Sequence, residues 1–248
     1  MPSKFIYDNK RLVNNYSIKH DNTAAIEVIA KSSNTYGILN KMTFSVWLMH
    51  HRANVLGTAI ATHTTTTTSG LTNGFAIFMN AANLLSFGVR AAALTTAQGS
   101  TAPVTNTWYH IIGTYDGSLT ANQVNVYKNG VLGIPATSTG NITFGASTFR
   151  TGGFGSGSSN GVHAYSYIDE VAIWNIGMTA QEAAAVYKLG KPGDLKRHSN
   201  AANLKLWWRM GDGDIYPNVK DWSVGGPVGG TMTNMSASNI APVTIYRG

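Results

Sequence analysis

The chain has 248 residues, a formal net charge of +7 and no cysteine. The lack of cysteine excludes disulfides, zinc–thiolate sites and thiol nucleophiles. With 43% hydrophobic and 12% charged residues, the composition is that of a globular protein, and the length suits one large β-sandwich. The sequence shows no run of about 18 apolar residues and no obvious secretion leader, so we predict no membrane insertion.

The positive charge does not predict a nucleic-acid partner, because such binding needs basic residues clustered on one face among aromatic residues. Between Val28 and Ile168 the only carboxylate side chain is Asp116, so the charge reflects scarce acids. The one basic cluster lies around a predicted helix end, where cations complement the helix dipole: Lys188, Lys191, Lys196, Arg197, Lys205 and Arg209. A solvated surface is the prediction for it, with an anionic partner as the alternative.

The sequence of the first half of the chain predicts an N-terminal arm followed by β-strands. Residues 1–15 are polar and basic and are expected to form an N-terminal arm. Met42 to Leu48 alternates apolar side chains with Ser45 and Trp47, which predicts a strand with one buried face. The threonine run at 64–69 is predicted to be an exposed hairpin tip, either a neutral loop or a partner contact.

The second half predicts a hairpin, a long strand and a helix. Asn129-Gly130 favours a type I′ turn, because both central residues of that turn need positive φ. Ile168 to Trp174 reads as a strand of alternating pattern. Thr179 and Glu182 form a capping-box pattern before an alanine-rich helix of about three turns.

Three segments together resemble the core of a laminin-G-like, concanavalin A-like jelly roll: Trp108–Gly117, Val124–Val131 and Tyr167–Asn175. Tyr16–Val28 and Met42–Leu48 resemble its early strands, although His20-Asp21-Asn22 replaces the usual Phe-Asp-Gly. The resemblance implies an all-β fold, a two-sheet antiparallel jelly-roll sandwich, with one short helix near 179–189.

The C-terminal part resembles the segment that normally opens such a domain. The matching sequences are Leu204–Asp214 and Gly229–Met232. We therefore divide the chain into an arm at 1–15, a jelly roll at 16–190 and a C-terminal segment at 191–248. Our hypothesis is that this segment completes the same sandwich in permuted order, since jelly-roll termini tend to lie close together. The alternative is a separate extension.

The sequence does not predict an enzyme. Glycosidases with this type of fold place two carboxylates at alternating positions of one strand, flanking the scissile bond. Asp169 and Glu170 are adjacent, so a regular strand is expected to send them to opposite faces. No Gly-x-Ser-x-Gly elbow lies between a strand and a helix. His50 and His51 are predicted to be paired surface histidines.

Calcium is the one cofactor that the resemblance favours. Many jelly rolls of this kind hold a structural calcium ion with an aspartate of the last strand, and Asp169 matches that position. Asp21 and backbone carbonyls are candidates for the remaining oxygen ligands, of which six to eight are needed. The alternative is an Asp169 that accepts hydrogen bonds from loop amides. Asp212-Gly213-Asp214 fits either a tight turn or half of a calcium loop.

Exposed aromatic rings are candidates for stacking on sugars. The candidates for this role are Trp47, Trp108, Tyr165 and Trp222. A sandwich of this size also needs aromatic residues inside, and we predict that Tyr115 and Trp174 are buried. Of Trp207 and Trp208, one is expected to face inward and the other outward.

The leading functional hypothesis is a non-enzymatic structural protein of a tailed-phage virion, such as a capsid decoration, fibre or tail component. It rests on the resemblance of Trp207–Asp214 and Gly230–Met235 to segments of predicted virion proteins. Its partners would be other virion proteins or further copies of itself, and cell-surface glycans. The virion, assembled in host cytoplasm, would be its location. The alternative is a carbohydrate-binding module of a bacterial surface or secreted protein, which would be extracellular.

Overall fold

Two eight-stranded antiparallel sheets face each other in the structure, which confirms the predicted all-β sandwich. The structure, a computed structural model, describes residues 14–21, 28–30, 36–52, 59–63, 71–144, 148–154, 162–188, 193–224 and 229–243. The threonine run at 64–69 and residues 1–13 of the predicted arm lie outside these ranges. None of the helices within them is long and apolar enough to cross a membrane.

The elements are numbered in chain order. Those before the Asn129-Gly130 turn are β1 (Ser17–His20), β2 (Val28–Ala30), β3 (Lys41–His50), β4 (Ala59–His63), β5 (Phe75–Met79), β6 (Leu85–Arg90), β7 (Leu94–Gln98), β8 (Tyr109–Asp116) and β9 (Val124–Lys128). Those after it are β10 (Val131–Leu132), β11 (Phe149–Thr151), β12 (Gly153–Phe154), β13 (Val162–His163), β14 (Ser166–Trp174), α1 (Ala180–Lys188), β15 (Leu204–Trp208), β16 (Asn218–Val219), β17 (Gly230–Thr233) and β18 (Ile240–Ala241). Short 3-10 helices span Leu195–Arg197, Ala201–Asn203 and Ala237–Asn239.

Sheet A has the strand order β10-β9-β8-β3-β14-β1-β18, and β15 also pairs with β14. The first part of β14 pairs with β1 and its second part with β15. Sheet B has the order β16-β17-β2-β11-β4-β5-β6-β7. A small ribbon of β12 and β13 completes the strands of the described residues.

The inner faces of the two sheets form the main core. Alternation along β3 sends Phe44, Val46 and Leu48 into it. From sheet B, the rings of Phe75 and Phe149 stack there with their centroids 6.2 Å apart. Burying one such side chain stabilises the fold by about 1.5–3 kcal/mol. The period-two pattern of the sequence therefore decides which residues hold the sheets together.

The C-terminal strands belong to both sheets. β15 pairs with β14, placing Trp207 opposite Ala172, and β17 pairs with β2 in sheet B. β18 pairs with β1, placing Ala241 opposite Ser17. β15, β17 and β18 therefore belong to the two sheets of the sandwich. The permuted order of the domain stays a prediction.

Helix α1 covers part of the outer face of sheet A. Its start has the predicted capping box: the Thr179 N–H donates to Glu182 Oε2 at 2.8 Å, and the Glu182 N–H donates to Thr179 Oγ1 at 3.3 Å. Trp174 and Trp207 are buried in an apolar cluster beneath this helix. Trp208 points into the main core instead. The two neighbouring tryptophans thus face opposite sides of sheet A, as predicted, but both are buried.

Gly113 of β8 marks a close approach between the two sheets. A Cβ at this position would lie 2.2 Å from a ring atom of Phe87. We expect Gly113→Ala to lower the free energy of unfolding by about 1–3 kcal/mol, because the ring has no free space to move into. Chemical denaturation would measure the loss. Gly88→Ala is the control, since its Cβ would meet Phe78 at 3.2 Å; equal losses in both variants would contradict the argument.

Candidate functional site

A β-bulge in β14 sets the position of its two acidic residues. Between Asp169 and Ala172, β14 carries one residue more than β3 does opposite it. The extra residue allows Ile168 and Val171 both to enter the core, while Glu170 adopts a φ of +48°. As a result, both carboxyl groups emerge on the outer face of sheet A. The prediction that adjacency sends them to opposite faces is wrong, because it assumes a regular strand.

Asp169 is buried and accepts three hydrogen bonds. Its Oδ1 accepts from the Glu170 N–H at 2.7 Å. Its Oδ2 lies 2.8 Å from Asn14 Nδ2 and 3.1 Å from the Ser17 hydroxyl. Burial raises the pKa of Asp169 well above its usual value, and the charge of Glu170 raises it further. These contacts correspond to the alternative in which Asp169 serves as a hydrogen-bond acceptor.

Glu170 belongs to the same network through Arg209. Arg209 Nε donates to Glu170 Oε1 at 3.2 Å, and Trp207 Nε1 donates to Glu170 Oε2 at 2.6 Å. Arg209 also pairs with Asp212 at 3.5 Å, and Asn14 donates to Asp212 at 3.2 Å. Burial raises the pKa of Glu170 to about 7, although Arg209 opposes this shift. A buried network of polar and charged side chains therefore ties β14 to Asn14, at the start of the described chain, and to the segment that ends β15 and follows it.

Asp21, the second residue predicted to bind calcium, lies away from this network. It pairs with Lys19. It follows Ser17 by four residues, which is about 13 Å along an extended chain. In the described ranges, no group of three or more His, Cys, Asp or Glu side chains is placed to hold a metal ion. Asp169 and Asp21 therefore do not fit one shared calcium site, and calcium binding stays a prediction.

A serine–histidine pair beside Glu170 is sealed from solvent. Ser45 Oγ lies 2.8 Å from His110 Nε2, and the two residues are only 1% and 2% exposed. The adjacent cavity, also lined by Trp47 and Leu195, has a volume of about 10 Å³. That is room for roughly one water molecule. No saccharide can reach this pair in the observed conformation.

Five ring side chains form a continuous strip near the C-terminal end of β3. Tyr167 packs against the cluster of Trp47 and Trp108 on the outer face of sheet A, whereas Tyr165 packs against the main core. The His51 ring stands edge-on to Tyr167 at 5.7 Å and to Tyr165 at 6.5 Å between centroids. We call these five residues the aromatic strip. It brings together three of the four predicted stacking residues and adds Tyr167 and His51, which are not among the sequence-predicted candidates.

The aromatic strip contains two buried tryptophans and three partly exposed rings. Trp47 and Trp108 are only 6% and 9% exposed. The Trp47 ring contacts His110 at 4.7 Å and Tyr187 of α1 at 5.9 Å between centroids. Tyr165, Tyr167 and His51 remain partly exposed. Sugar stacking on this strip would therefore involve the tyrosines, of which Tyr167 packs against the two tryptophans and Tyr165 packs against the main core.

Cationic side chains border the accessible end of the strip. The Arg52 guanidinium lies 4.4 Å from the centre of the Tyr165 ring. Lys19 Nζ lies 6.0 Å from the centre of the Tyr167 ring. Burial is the main cause that lowers the pKa of His51, and Lys19 and Arg52 lower it further, while a hydrogen bond to the His20 backbone and the charge of Asp21 oppose the shift. His51 is therefore neutral at neutral pH. Because Asp21 pairs with Lys19, the net positive charge of this end comes from Arg52.

Trp222, the fourth predicted stacking residue, lies in the C-terminal loop and not in the strip. Lys220 Nζ is 4.1 Å from the centre of its ring, and the Arg209 guanidinium is 5.4 Å away. A Cβ on Gly213 would lie 3.1 Å from the same ring. Nearby Asp214 accepts hydrogen bonds from the Gly211 and Lys220 N–H groups, which favours the tight-turn alternative for this segment.

His50 is buried, so the prediction of two surface histidines is wrong. It lies two residues beyond Leu48 on β3 and shares its inward direction. The Ser166 hydroxyl donates to the Ala164 carbonyl at 2.7 Å, so it accepts from His50 Nδ1–H at 2.6 Å. Burial lowers the pKa of His50 to about 4. His50 is therefore neutral, and only His51 reaches the surface.

Solved structures share this fold. The chain resembles a Bacteroides ovatus protein provisionally described as carbohydrate binding, with a TM-score of 0.61 and 17% identity, covering 94% of this chain and 61% of that one. It also resembles a native heptameric SAP-like pentraxin from Limulus polyphemus, with a TM-score of 0.52 and 13% identity over 77% of this chain and 89% of that one. A Trypanosoma rangeli sialidase in complex with sialic acid gives a TM-score of 0.50 and 12% identity over 73% and 29% of the two chains.

At these identities the likeness concerns the fold alone, and this chain spans less than two thirds of the Bacteroides ovatus protein. A comparison with curated protein sequences gave no match. A sequence model described as concanavalin A-like lectin/glucanases superfamily matches residues 21–184, which is more than half of the chain. The matched region contains β3, β8, β9 and β14, the strands at the centre of sheet A. The chain therefore belongs to the concanavalin A-like lectin/glucanase superfamily and has its lectin-type jelly-roll fold.

Proposed function

We propose that the chain is a non-enzymatic recognition domain that binds glycans through the aromatic strip. The observation that carries this proposal is the continuity of the strip, in which the partly exposed Tyr165 and Tyr167 both contact His51, and Tyr167 packs against the Trp47–Trp108 cluster. Rings held in place with an accessible face are suited to stacking on sugars. The description of the Bacteroides ovatus protein supports the same type of ligand.

Two observations support the proposal that the domain is not an enzyme. A glycosidase needs two carboxyl groups that flank the scissile bond of a bound sugar. Asp169 and Glu170 are instead buried and occupied by protein donors. The Ser45–His110 pair is sealed in the same way. These reactive groups are thus inside the protein, whereas His51, Tyr165 and Tyr167 of the strip are partly exposed.

The test of glycan binding is a tyrosine substitution in the strip. We expect Tyr167→Ala to weaken binding at least tenfold, because truncating a central aromatic contact typically costs about 1–2 kcal/mol or more. A glycan array would identify a ligand for the wild-type chain, and titration calorimetry would compare the variants. Tyr216→Ala is the matched control, since Tyr216 is 41% exposed on the C-terminal loop. A wild-type chain that binds no glycan, or equal losses in both variants, would overturn the proposal.

We further propose that the domain is a structural component of a tailed-phage particle, with the virion as its location. Exposed apolar side chains favour contacts with neighbouring subunits or further copies. Val131 and Ile134, beside the edge of sheet A, are 65% and 60% exposed, and Ile215 at a loop tip is 80% exposed. The other candidate is a carbohydrate-binding module of an extracellular bacterial protein, which the same strip would serve.

A protein inventory of assembled particles separates these two roles. Peptides of this chain in purified virions, at a constant ratio to the major capsid protein, would support the structural role. A monomer that never copurifies with particles and binds one defined glycan tightly would favour the extracellular module.

Calcium binding at Asp169 remains a separate prediction, and calorimetric titration with CaCl₂ would test it without a glycan.

A further inference from the structure

We propose that the aromatic strip selects saccharides that carry a carboxylate or sulfate group, with Arg52 as the anion-binding residue. This inference rests on the proposed glycan-binding function and adds a ligand class to it. The starting observation is the exposed Arg52 side chain, whose guanidinium lies 4.4 Å from the centre of the Tyr165 ring.

The Arg52 guanidinium lies over the Tyr165 ring, with 4.4 Å between its central carbon and the ring centre. A cation–π contact attracts the guanidinium to the ring without using an N–H donor in a hydrogen bond. The N–H donors of arginine lie in the plane of the guanidinium and match two oxygens of a carboxylate or sulfate. Arg52 therefore places a two-oxygen binding group beside a ring that can stack on a sugar.

Two tyrosine rings that both contact His51 offer more than one stacking position, which suits an oligosaccharide better than a single sugar. The His51 ring lies 6.5 Å from Tyr165 and 5.7 Å from Tyr167 between centroids. His51 is neutral at neutral pH, because its pKa is lowered mainly by burial, so it offers polar ring nitrogens without adding a charge.

The carboxylates near the strip are already engaged by protein groups. Asp21 pairs with Lys19. Asp169 is buried and accepts hydrogen bonds from its neighbours. Asp116, the only acidic residue between Val28 and Ile168, pairs with Lys41, which is six residues before Trp47 on β3. Asp21 offsets the charge of Lys19, so among the described residues the net positive charge at this end of the strip comes from Arg52.

The experiment uses matched ligands on the full chain. Lactose, 3′-sialyllactose and 3′-sulfolactose share the lactose core; the second adds a carboxylate-bearing sialic acid residue and the third adds a sulfate group. A glycan array would extend the comparison to other neutral oligosaccharides and their sialylated, uronate-containing and sulfated derivatives. We expect at least one acidic derivative to bind tenfold or more tightly than its neutral parent. Comparing the affinities of the carboxylated and the sulfated ligands then shows which anion the strip prefers.

Variants of Arg52 connect this preference to the residue. Arg52→Gln should reduce binding of the acidic ligand at least tenfold and leave binding of its neutral parent unchanged. Arg52→Lys should give an intermediate loss, because it keeps the charge but not the two-oxygen geometry. Arg90→Gln, on sheet B, is the matched control and should have no effect. Thermal melts of each variant would confirm that the fold is intact.

The outcomes separate this inference from the proposed function. If neutral and acidic glycans bind equally well and both depend on Tyr167, the acidic preference is wrong and the glycan-binding function stands. If acidic binding is preferred but survives Arg52→Gln unchanged, the assignment of Arg52 is wrong. If no glycan binds the wild-type chain, the proposed function and this inference both fail.

Discussion

Replacing Arg209 with methionine is expected to lower the free energy of unfolding by about 3–5 kcal/mol. The Arg209 side chain is 5% exposed and faces Glu170 at 3.2 Å and Asp212 at 3.5 Å. Methionine fills a similar space but leaves both carboxyl groups buried without their cation. For a chain of this length, the melting temperature should fall by about 10 °C.

An exposed arginine provides the control for this prediction. Arg197 lies 4.0 Å from Asp194, and its side chain is 63% exposed. Arg197→Met should change the unfolding free energy by no more than about 0.5 kcal/mol. Chemical denaturation at pH 7 would compare the two variants. If they unfold alike, the buried network contributes no more than a surface ion pair. Adding Glu170→Gln to Arg209→Met should recover part of the loss, because it removes one of the buried carboxyl groups left without its cation.

Acid should destabilise the fold through His50. Its pKa is lowered, mainly by burial, from 6.5 to about 4 in the folded protein. Between these two values the unfolded chain binds a proton that the folded chain does not. The stability contributed by neutral His50 is therefore complete above pH 6.5 and is lost as the pH falls toward 4. The difference between the two pKa values corresponds to about 3 kcal/mol.

The measurement compares the unfolding free energy of wild type and His50→Gln at pH 7 and at pH 4.5. Glutamine retains an N–H that can donate to Ser166, so the variant should fold. Glu170 has a raised pKa and acts in the opposite direction, because its contribution is lost as the pH rises through about 7. The difference between the two proteins isolates the histidine. An equal fall in stability with acid for both would show that another group is responsible.

Features that depend on neighbouring residues could be predicted from the sequence. Asn129 and Gly130 have φ values of +52° and +79°, as the predicted type I′ turn requires. Thr179 and Glu182 form the capping box at the predicted start of the helix. Tyr115 is fully buried, as its place in an alternating strand indicates. In each case, the residues that decide the structure are within a few positions of one another.

The carboxyl network could not be predicted, because its contacts join distant parts of the chain. Asn14 reaches Asp169 across 155 residues and Asp212 across 198. The bulge that turns Glu170 outward depends on how β14 pairs with β3, and a single strand does not reveal it. Nothing in the sequence near Asp169 indicates these partners.

The aromatic strip could be predicted in part. Trp47 alternates with the inward Leu48, so its outer position follows from the pattern. The same alternation indicates that His50 points inward and that Tyr167, next to the inward Ile168, points outward. The arrangement of these rings into one strip depends on the order of the strands in sheet A, which the alternating pattern does not specify.

The pairing of β1 with β18 has a consequence for how the chain reaches its folded state. Ser17 donates to the carbonyl of Val243, so two segments 226 residues apart must meet before sheet A is complete. The ribosome therefore has to release nearly all of the described chain before β1 and β18 can pair. Contacts between residues so distant in sequence slow folding. Until then, part of β14 and one side of β2 lack their C-terminal partners. When several chains are synthesised close together, β15 or β17 of one copy can pair with β14 or β2 of another. Strand exchange between nascent chains is therefore the misassembly that we expect.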